Sequence, residues 1–154
     1  APYGALLSNK PNISTYVDRA LPCVAKAAPW DYRAWRPDVV IVNIGTNDYI
    51  LPVGDPKPAL FVSRWIAFAT SLLEKYSPAP ALVAVCGPMT MTQCGSVQAA
   101  VDALSARGFK ASLVNTTLAG SPLGLHGCAG HPTTADHKEM AAKIGPAVQA
   151  ATGW

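Results

Sequence analysis

Charged residues are scarce in this chain: they make up 14% of its 154 residues, and Lys and Arg form no run or cluster. The net charge is a mild +3. Without a basic patch, no nucleic-acid partner is expected. No apolar run approaches the roughly 18 residues that a transmembrane helix needs, so no membrane span is expected either. Half of the residues are hydrophobic, which suits one packed domain of this length.

Signatures of nucleotide and metal sites are also missing. Neither a G-x-G-x-x-G nor a G-x-x-x-x-G-K-[ST] motif occurs, which argues against an unrelated nucleotide-binding domain. The four cysteines include no C-x-x-C pair, so their spacing is not that of a zinc site. We therefore predict neither a cofactor nor a metal ion. No serine stands in a G-x-S-x-G elbow or directly after a predicted strand, so none is assigned as a nucleophile.

The stretch at residues 37–49 organises the rest of the chain. Its β-branched run, Val39–Val42, lies between Pro37 and Gly45 and predicts a strand buried on both faces. The chain then turns polar at once, with Gly-Thr-Asn-Asp at residues 45–48. Ligands of open α/β sheets bind just beyond the carboxyl ends of the strands, so this turn lies where chemistry is expected.

Strand and helix patterns alternate along the chain. Further strands are predicted at Ala81–Cys86 and Ala111–Asn115, and helices at residues 60–76 and 97–106. A last helix follows Thr133, which can cap it with Asp136 as its capping-box partner. This order predicts an α/β fold with a parallel sheet. Only three strands are available, although the most apolar of them, which comes first, should be central and so should have further neighbours.

A second informative stretch, at residues 127–132, ends in His131-Pro132 and leads into the last predicted helix. Together, the Gly-Thr-Asn-Asp block and this late His-Pro pair resemble the SGNH (GDSL-like) hydrolases, which are flavodoxin-like, three-layer serine esterases. The flanking sequences are most similar to carbohydrate esterase family two, the acetylxylan-esterase type, at residues 16–21, 30–38 and 152–154. The resemblance runs from about residue 16 to the last residue.

The resemblance implies roles for five residues. Asn47 is the expected oxyanion donor, because acyl transfer needs amides aimed at the developing charge. His131 is the expected general base, since imidazole titrates near neutrality. Gly45, Thr46 and Asp48 are assigned to the substrate-binding turn; Gly45 allows a tight backbone, and Asp48 is expected to bond backbone amides there. Carbohydrate bearing acyl groups, or another ester, is the implied substrate.

Each assignment has a competitor. An Asn after a strand also caps turns, and a loop histidine is often only a surface residue. His126 and His137 are alternative bases, although His126 lacks a following proline and His137 falls inside the predicted last helix. These alternatives stay open on the sequence alone.

Two departures from the family pattern are as informative as the match. No Gly-Asp-Ser block, which carries the family's nucleophile, occurs in this sequence. In addition, Cys128 stands where most SGNH enzymes have the Asp that orients the histidine. Family-two esterases can work as Ser-His dyads in which a backbone carbonyl orients the imidazole, and Cys128 is compatible with that arrangement.

We therefore interpret residues 1–154 as the carboxyl-terminal part of a single SGNH-like domain. The first strands and the nucleophilic serine are expected from a second polypeptide or a cleaved amino-terminal segment. In a flavodoxin-like order, the two later strands lie on one side of Val39–Val42 and leave its other edge bare. The alternative is a catalytically inactive carbohydrate-binding or structural subunit that has lost its nucleophile.

Cysteines and sequons favour a secreted protein. The four cysteines, Cys23, Cys86, Cys94 and Cys128, fit disulfides in an oxidising compartment, although free core thiols are also possible. We predict at least one disulfide, between Cys128 and either Cys86 or Cys94, because both loops follow strands. Two N-glycosylation sequons occur, at Asn12 and at Asn115.

Overall fold

A computed structural model of the chain describes residues 6–7, 12–22, 24, 26–50, 57–118 and 127–154. Helices and strands alternate through most of this part of the chain. In order, the elements are α1 (Ile13–Tyr16), β1 (Val39–Val42), α2 (Thr46–Ile50), α3 (Pro58–Leu73), β2 (Ala81–Cys86), α4 (Cys94–Ala106), β3 (Ala111–Asn115), a 3₁₀ turn (Cys128–Gly130) and α5 (Thr134–Thr152). None of the helices in the described ranges is long and apolar enough to cross a membrane.

The strands form a parallel sheet in the order β1-β2-β3. Ile41 pairs with Val83, and Val83 with Ser112, so the three strands are in register across the sheet. All six residues of β2 are buried, because this strand has a neighbour on each side. The predicted α/β fold with a parallel sheet is confirmed, as are the bounds of all three strands.

Helices cover both faces of the sheet, which gives three layers. On one face, α3 and α4 pack against alternate residues of β2, and their apolar side chains form the main core. The largest fully buried side chains of that core are Trp65, Phe61, Leu73, Leu82 and Leu104. On the other face lies α5, which contacts all three strands.

The burial predicted for β1 on both faces is wrong in the described structure. Val42 is buried, but Val39 and Val40 are half-buried and the side chain of Ile41 is 49% exposed. The physical reason is position: β1 is an edge strand, and no strand among the described residues pairs with its outer side. This is the bare edge that a flavodoxin-like order predicts.

The same side of the molecule leaves part of α5 uncovered. Met140 is buried near the start of the helix, whereas Ile144 and Val148 are half-buried and line an open apolar groove with Ile41. The apolar stripe of α5 thus continues beyond the sheet that is available to cover it.

The described residues contain one disulfide, which confirms the prediction of at least one, but it does not join the predicted pair. Cys86, at the end of β2, is bonded to Cys94, at the start of α4, with Cα atoms 5.3 Å apart. Cys128 is free and exposed, so its predicted participation is wrong. The short loop between β2 and α4 brings Cys86 and Cys94 together directly, and Cys128 lies in the different loop that precedes α5. Cys23 is outside the described residues.

Candidate active site

The residues that lead into α2 and those that lead into α5 lie at the same end of the sheet, where the strands have their carboxyl ends. Met89 follows β2 and Leu118 follows β3, and both pack against Met140 in the first half of α5. At the opposite edge, Lys110 precedes β3 and donates a hydrogen bond to the carbonyl oxygen of Ala151 near the end of α5. The start of α5 therefore lies at the carboxyl ends of the strands, which is also where β1 runs into the turn at residues 45–48.

Gly45 makes the turn out of β1 in a conformation that favours glycine. Its φ is +117°, and a Cβ added there would lie 2.7 Å from Cζ of Phe61 and 3.6 Å from Cγ of Gln93. Both the positive φ and the packed ring below therefore exclude a larger residue. The turn therefore packs on the face of the sheet that α3 and α4 cover.

Asp48 anchors this turn to the amino-terminal segment. Its side chain is buried, and its carboxylate accepts hydrogen bonds from the backbone N–H groups of Leu6 and Leu7. Burial raises the pKa of Asp48, and these backbone donors oppose the rise only in part. Asp48 was expected to bond backbone amides of its own turn, but these two donors lie in the distant amino-terminal segment.

The neighbouring Tyr49 fixes a different face of α2. Its hydroxyl donates a hydrogen bond to Oγ of Ser96, 3.0 Å away in α4, and its ring packs edge-on against Phe61 with centroids 5.0 Å apart. The side chains of Asp48 and Tyr49 therefore both fix the position of α2.

Thr46 and Asn47 are half-buried, and within the described residues the Asn47 amide makes no side-chain hydrogen bond. An amide held on a fixed turn with its donors uncommitted can serve a developing negative charge.

His131 is oriented by backbone rather than by a carboxylate. Its Nδ1 lies 3.2 Å from the carbonyl oxygen of Cys128 and 3.1 Å from that of Ala129. Carbonyl oxygens only accept, so Nδ1 carries the hydrogen and Nε2 keeps a lone pair. The side chain is exposed, so Nε2 is available to a reacting group. The carbonyls of Cys128 and Ala129, and not the Cys128 thiol, therefore orient the ring.

Residues 127–131, which precede α5, form a tight turn that ends at His131. The N–H of Gly127 donates to the carbonyl oxygen of His131 at 3.0 Å, and a Cβ added at Gly127 would lie 2.4 Å from that oxygen. On the other side, Thr133 caps α5, and the predicted capping box with Asp136 is confirmed. The histidine is therefore clamped between a turn and a helix cap.

The alternative histidines are not comparable. His137 is an exposed residue within the first turns of α5, where its backbone N–H donates to the carbonyl oxygen of Thr133. His126 lies outside the described residues. Of the positions that the sequence singled out, the structure brings Gly45, Asn47 and His131 to one edge of the sheet.

Two residues that the sequence did not single out lie next to the turn: Ser96, which accepts a hydrogen bond from Tyr49, and Gln93, whose side chain lies near Gly45. Neither belongs to a recognisable motif. Their position follows from the disulfide between Cys86 and Cys94, which folds the start of α4 under α2. The only sequence signal was the cysteine pair itself, whose connectivity cysteine counting cannot supply.

The chain is similar to known carbohydrate esterases, although no protein-family model matches it. An acetylxylan esterase / glucomannan deacetylase of Cellvibrio japonicus (strain Ueda107) is 29% identical over 68 residues, which are 44% of this chain and 18% of that protein. This relative is distant, and the match is partial on both sides.

Solved structures of carbohydrate esterase family 2 match nearly the whole chain. An enzyme with a carbohydrate-binding domain from Corynascus thermopiles (Myceliophthora fergusii) is 26% identical with a TM-score of 0.80, over 99% of this chain and 51% of that one. A family-two esterase from Clostridium thermocellum, solved with cellohexaose, is 24% identical with a TM-score of 0.81, over 94% and 44%. The predicted resemblance to family two is confirmed, and the chain spans about half the length of these structures or less.

Proposed function

We propose that this chain, whose fold is that of carbohydrate esterase family 2 structures, supplies the general base and an oxyanion donor of a serine esterase that deacetylates carbohydrate. The observation that carries the proposal is the backbone-oriented imidazole of His131 at the sheet edge where the Gly45–Asn47 turn also lies. The chemistry then divides into a base step and a charge-stabilising step.

His131 is the base. Its Nδ1–H is committed to the carbonyl oxygens of Cys128 and Ala129, so Nε2 removes the proton from a serine hydroxyl as its oxygen attacks the ester carbonyl. The imidazolium then returns that proton to the leaving sugar oxygen, which leaves an acyl-enzyme. Water deacylates the serine by the same route, with His131 again as the base. Backbone carbonyls hold the ring but carry no full charge, so imidazolium is stabilised less than by a carboxylate.

Asn47 stabilises the negative charge that develops on the carbonyl oxygen in both steps. Its Nδ2–H₂ group is an uncommitted donor on a turn that Gly45, Asp48 and Tyr49 hold from other sides. A preorganised donor costs no reorganisation as the charge forms, which is why such groups contribute strongly to acyl transfer. Gly45 and Thr46 shape the wall of the site around it.

The nucleophile comes from a segment outside these residues, either an amino-terminal segment or a second polypeptide. The unpaired outer edge of β1 and the 49% exposure of Ile41 support this. Backbone N–H and C=O groups on a hydrophobic edge need ladder partners. We expect a strand of that segment to pair with residues 37–44 and to bring a serine within about 3 Å of His131, the reach of a nucleophile–base pair.

Acetylated polysaccharide is the substrate class that the relatives support. The distant relative is an acetylxylan esterase / glucomannan deacetylase, and one structural neighbour was solved with cellohexaose.

Secretion is part of the same proposal, because the Cys86–Cys94 disulfide suits an oxidising compartment. Of the two sequons, only Asn115 presents an exposed side chain, whereas Asn12 donates to the carbonyl oxygen of Leu6. A glycan found by mass mapping should therefore be on Asn115.

The native protein, isolated with any polypeptide that accompanies it, provides the test. A fluorophosphonate probe should label one serine in a Gly-Asp-Ser segment, and intact mass should show whether that segment is joined to this chain. His131→Ala should lower acetyl release from acetylated xylan at least ~10³-fold, as for loss of a catalytic base. His137→Ala is the matched control and should keep the activity. Acetyl release that survives His131→Ala would contradict the proposal.

The second candidate is a catalytically inactive carbohydrate-binding or structural subunit with this fold. The same preparation separates the two candidates. A protein that binds cello- or xylo-oligosaccharides, carries no labelled serine and releases no acetate would be the binding subunit.

A further inference from the structure

Ala129 has an unusual backbone conformation in the turn before α5. Among the described residues, it is the one residue other than glycine with a positive φ, at φ 54° and ψ 34°. In this left-handed region the Cβ of an ordinary residue crowds the following carbonyl oxygen, so glycine is the usual occupant. Ala129 is exposed, so packing of its methyl group does not offset the strain. Strain of this kind persists where it is part of how a functional group is held.

The carbonyl group of Ala129 shows what the strained conformation achieves. Its oxygen lies 3.1 Å from Nδ1 of His131, two residues further along the chain. A right-handed conformation would continue the helical turn and aim this carbonyl along the helix axis, toward the N–H groups that follow. The left-handed conformation ends that series, and the carbonyl oxygen meets the imidazole instead.

The two carbonyl oxygens near Nδ1 differ in their other partners. The oxygen of Cys128 also accepts the backbone N–H of His131, at 3.2 Å, in the three-residue pattern of the turn. The next bond of that pattern would run to Ala129 from residue 132, which is a proline and has no N–H. Within the described part of the chain, the imidazole is therefore the only donor to the Ala129 oxygen.

We propose that Ala129 and Pro132 are positioning residues for His131. Ala129 aims its carbonyl oxygen at Nδ1, and Pro132 leaves that oxygen without a backbone donor, so the oxygen holds the ring as an orienting carboxylate does elsewhere. Pro132 also favours the extended backbone that His131 has, with ψ 167°. This inference rests on the function proposed above, because it concerns how the base of that reaction is held.

The test compares two substitutions of Ala129 in the native protein. Valine is β-branched and disfavours a positive φ, so in Ala129→Val the turn should rearrange and move the carbonyl away from Nδ1. The kcat for acetyl release should then fall by about 100-fold, as for a misplaced reacting group, with KM little changed. Glycine accepts the left-handed backbone, so Ala129→Gly should lower kcat by less than about fivefold.

Ala99→Val is the control for Ala129→Val, because Ala99 is an exposed residue within α4, and it should keep the kcat. An Ala129→Val variant that loses thermal stability but keeps its kcat would overturn the proposal.

Pro132→Ala tests the second residue independently. The substitution gives residue 132 an N–H that competes for the Ala129 oxygen, and it removes the restriction on the backbone of His131. We expect kcat to fall by about tenfold. Pro58→Ala is the control, because Pro58 is an exposed proline at the start of α3, and it should keep the kcat. Full kcat in Pro132→Ala would overturn the role of Pro132.

Nitrogen NMR of the His131 ring separates this inference from the esterase proposal. The hydrogen bond made by one ring nitrogen selects the tautomer, so His131 should carry its hydrogen on Nδ1. We would record spectra at about pH 8.5, where an ordinary imidazole is neutral. Ala129→Val should move the larger part of the population to the Nε2–H tautomer, and Ala99→Val should not.

The tautomer decides the inference even in a protein without activity. If the unmodified protein releases no acetate, the esterase proposal fails, and the ring nitrogens still report whether Ala129 holds the imidazole. An unchanged Nδ1–H tautomer in Ala129→Val would show that the carbonyl of Cys128 is sufficient, and would overturn the inference.

Discussion

Both carboxylate oxygens of Asp48 accept a hydrogen bond from the backbone N–H of Leu6, at 3.0 and 2.9 Å. The N–H of Leu7 adds a third bond, at 2.8 Å. Residues more than forty positions apart in sequence are thereby joined at the turn that carries Asn47. Leu6 itself is buried in the main core, so the carboxylate ties the site to the packed interior.

This buried carboxylate predicts a pH dependence of stability. Burial raises the pKa of Asp48 above its ordinary value of 3.8, so between the two values the folded state holds more protons than the unfolded state. The free energy of unfolding contributed by Asp48 therefore falls as the pH rises through that window. Asp48→Asn cannot titrate. The Tm of the unmodified protein minus that of Asp48→Asn should grow as the pH is lowered from about 7 to about 4.

The control is the difference in Tm between the unmodified protein and Asp102→Asn at the same pH values. Asp102 is an exposed residue of α4, so this difference should change little with pH. Thermal melts at several pH values provide the measurement. A Tm difference for Asp48→Asn that shrinks on acidification would show that the backbone donors, not burial, dominate the pKa of Asp48.

Asn47→Ala should lower kcat by roughly 10²–10³ while leaving the fold intact, as for removal of one oxyanion donor. The Asn47 side chain makes no hydrogen bond within the described residues, so its loss leaves no partner unsatisfied. Steady-state kinetics on an acetylated oligosaccharide, together with a melting curve, provide the measurement. An unchanged kcat would remove Asn47 from the mechanism.

Gly127→Ala should damage activity through His131. The added Cβ would lie 2.4 Å from the carbonyl oxygen of His131, so the loop must shift and carry the imidazole with it. We expect kcat/KM to fall by about 10²-fold, the cost of misplacing a reacting group by about 1 Å. Gly95→Ala is the control, because nothing lies within 4 Å of its added Cβ. Equal activity in the two variants would contradict the clamped loop.

Local patterns predicted the strands well, because short apolar runs between helical patterns favour buried strands. Val39–Val42, Ala81–Cys86 and Ala111–Asn115 all formed as predicted. The burial of Ile41 was not predictable, because it depends on what pairs with the edge of β1 and not on its own sequence. The short helix α2 was read as a turn, since Thr46–Ile50 has no helical periodicity to detect.

Of the candidate site, the sequence predicted only the residues that stand in recognisable motifs. Asn47 and His131 stand in recognisable blocks, and the family resemblance implied an orienting backbone carbonyl without indicating which residue supplies it. The disulfide partner was wrong because connectivity depends on three-dimensional proximity: Cys86 and Cys94 flank one short loop, and Cys128 belongs to another. Gln93 was missed because burial of an amide leaves no mark in the sequence.

The disulfide should stabilise the β2–α4 connection. Cys86 and Cys94 are separated by 8 positions. In the chain-entropy account, closing a loop of this size contributes about 2–3 kcal/mol to the free energy of unfolding. The double variant Cys86→Ser and Cys94→Ser should lose about that much, measured by denaturant unfolding. Cys128→Ser is the control and should leave stability unchanged, because its thiol is free and exposed. Equal losses of stability in the double variant and in Cys128→Ser would contradict the Cys86–Cys94 disulfide.

The last prediction concerns residues 1–154 expressed alone. The outer edge of β1 has no strand partner among the described residues, and the side chain of Ile41 is 49% exposed beside the apolar groove on α5. Such an edge is a template for pairing with another chain, so we expect self-association at micromolar concentration. Ile41→Lys should reduce it, because a charged lysine on β1 opposes pairing at that edge. Ser112→Lys lies on β3, at the opposite side of the sheet, and should leave pairing at β1 unchanged. Light scattering and size-exclusion chromatography provide the measurement. A soluble monomer with one cooperative melting transition would show that this chain folds without a further strand, and would favour the inactive binding subunit over the esterase that is completed by another segment.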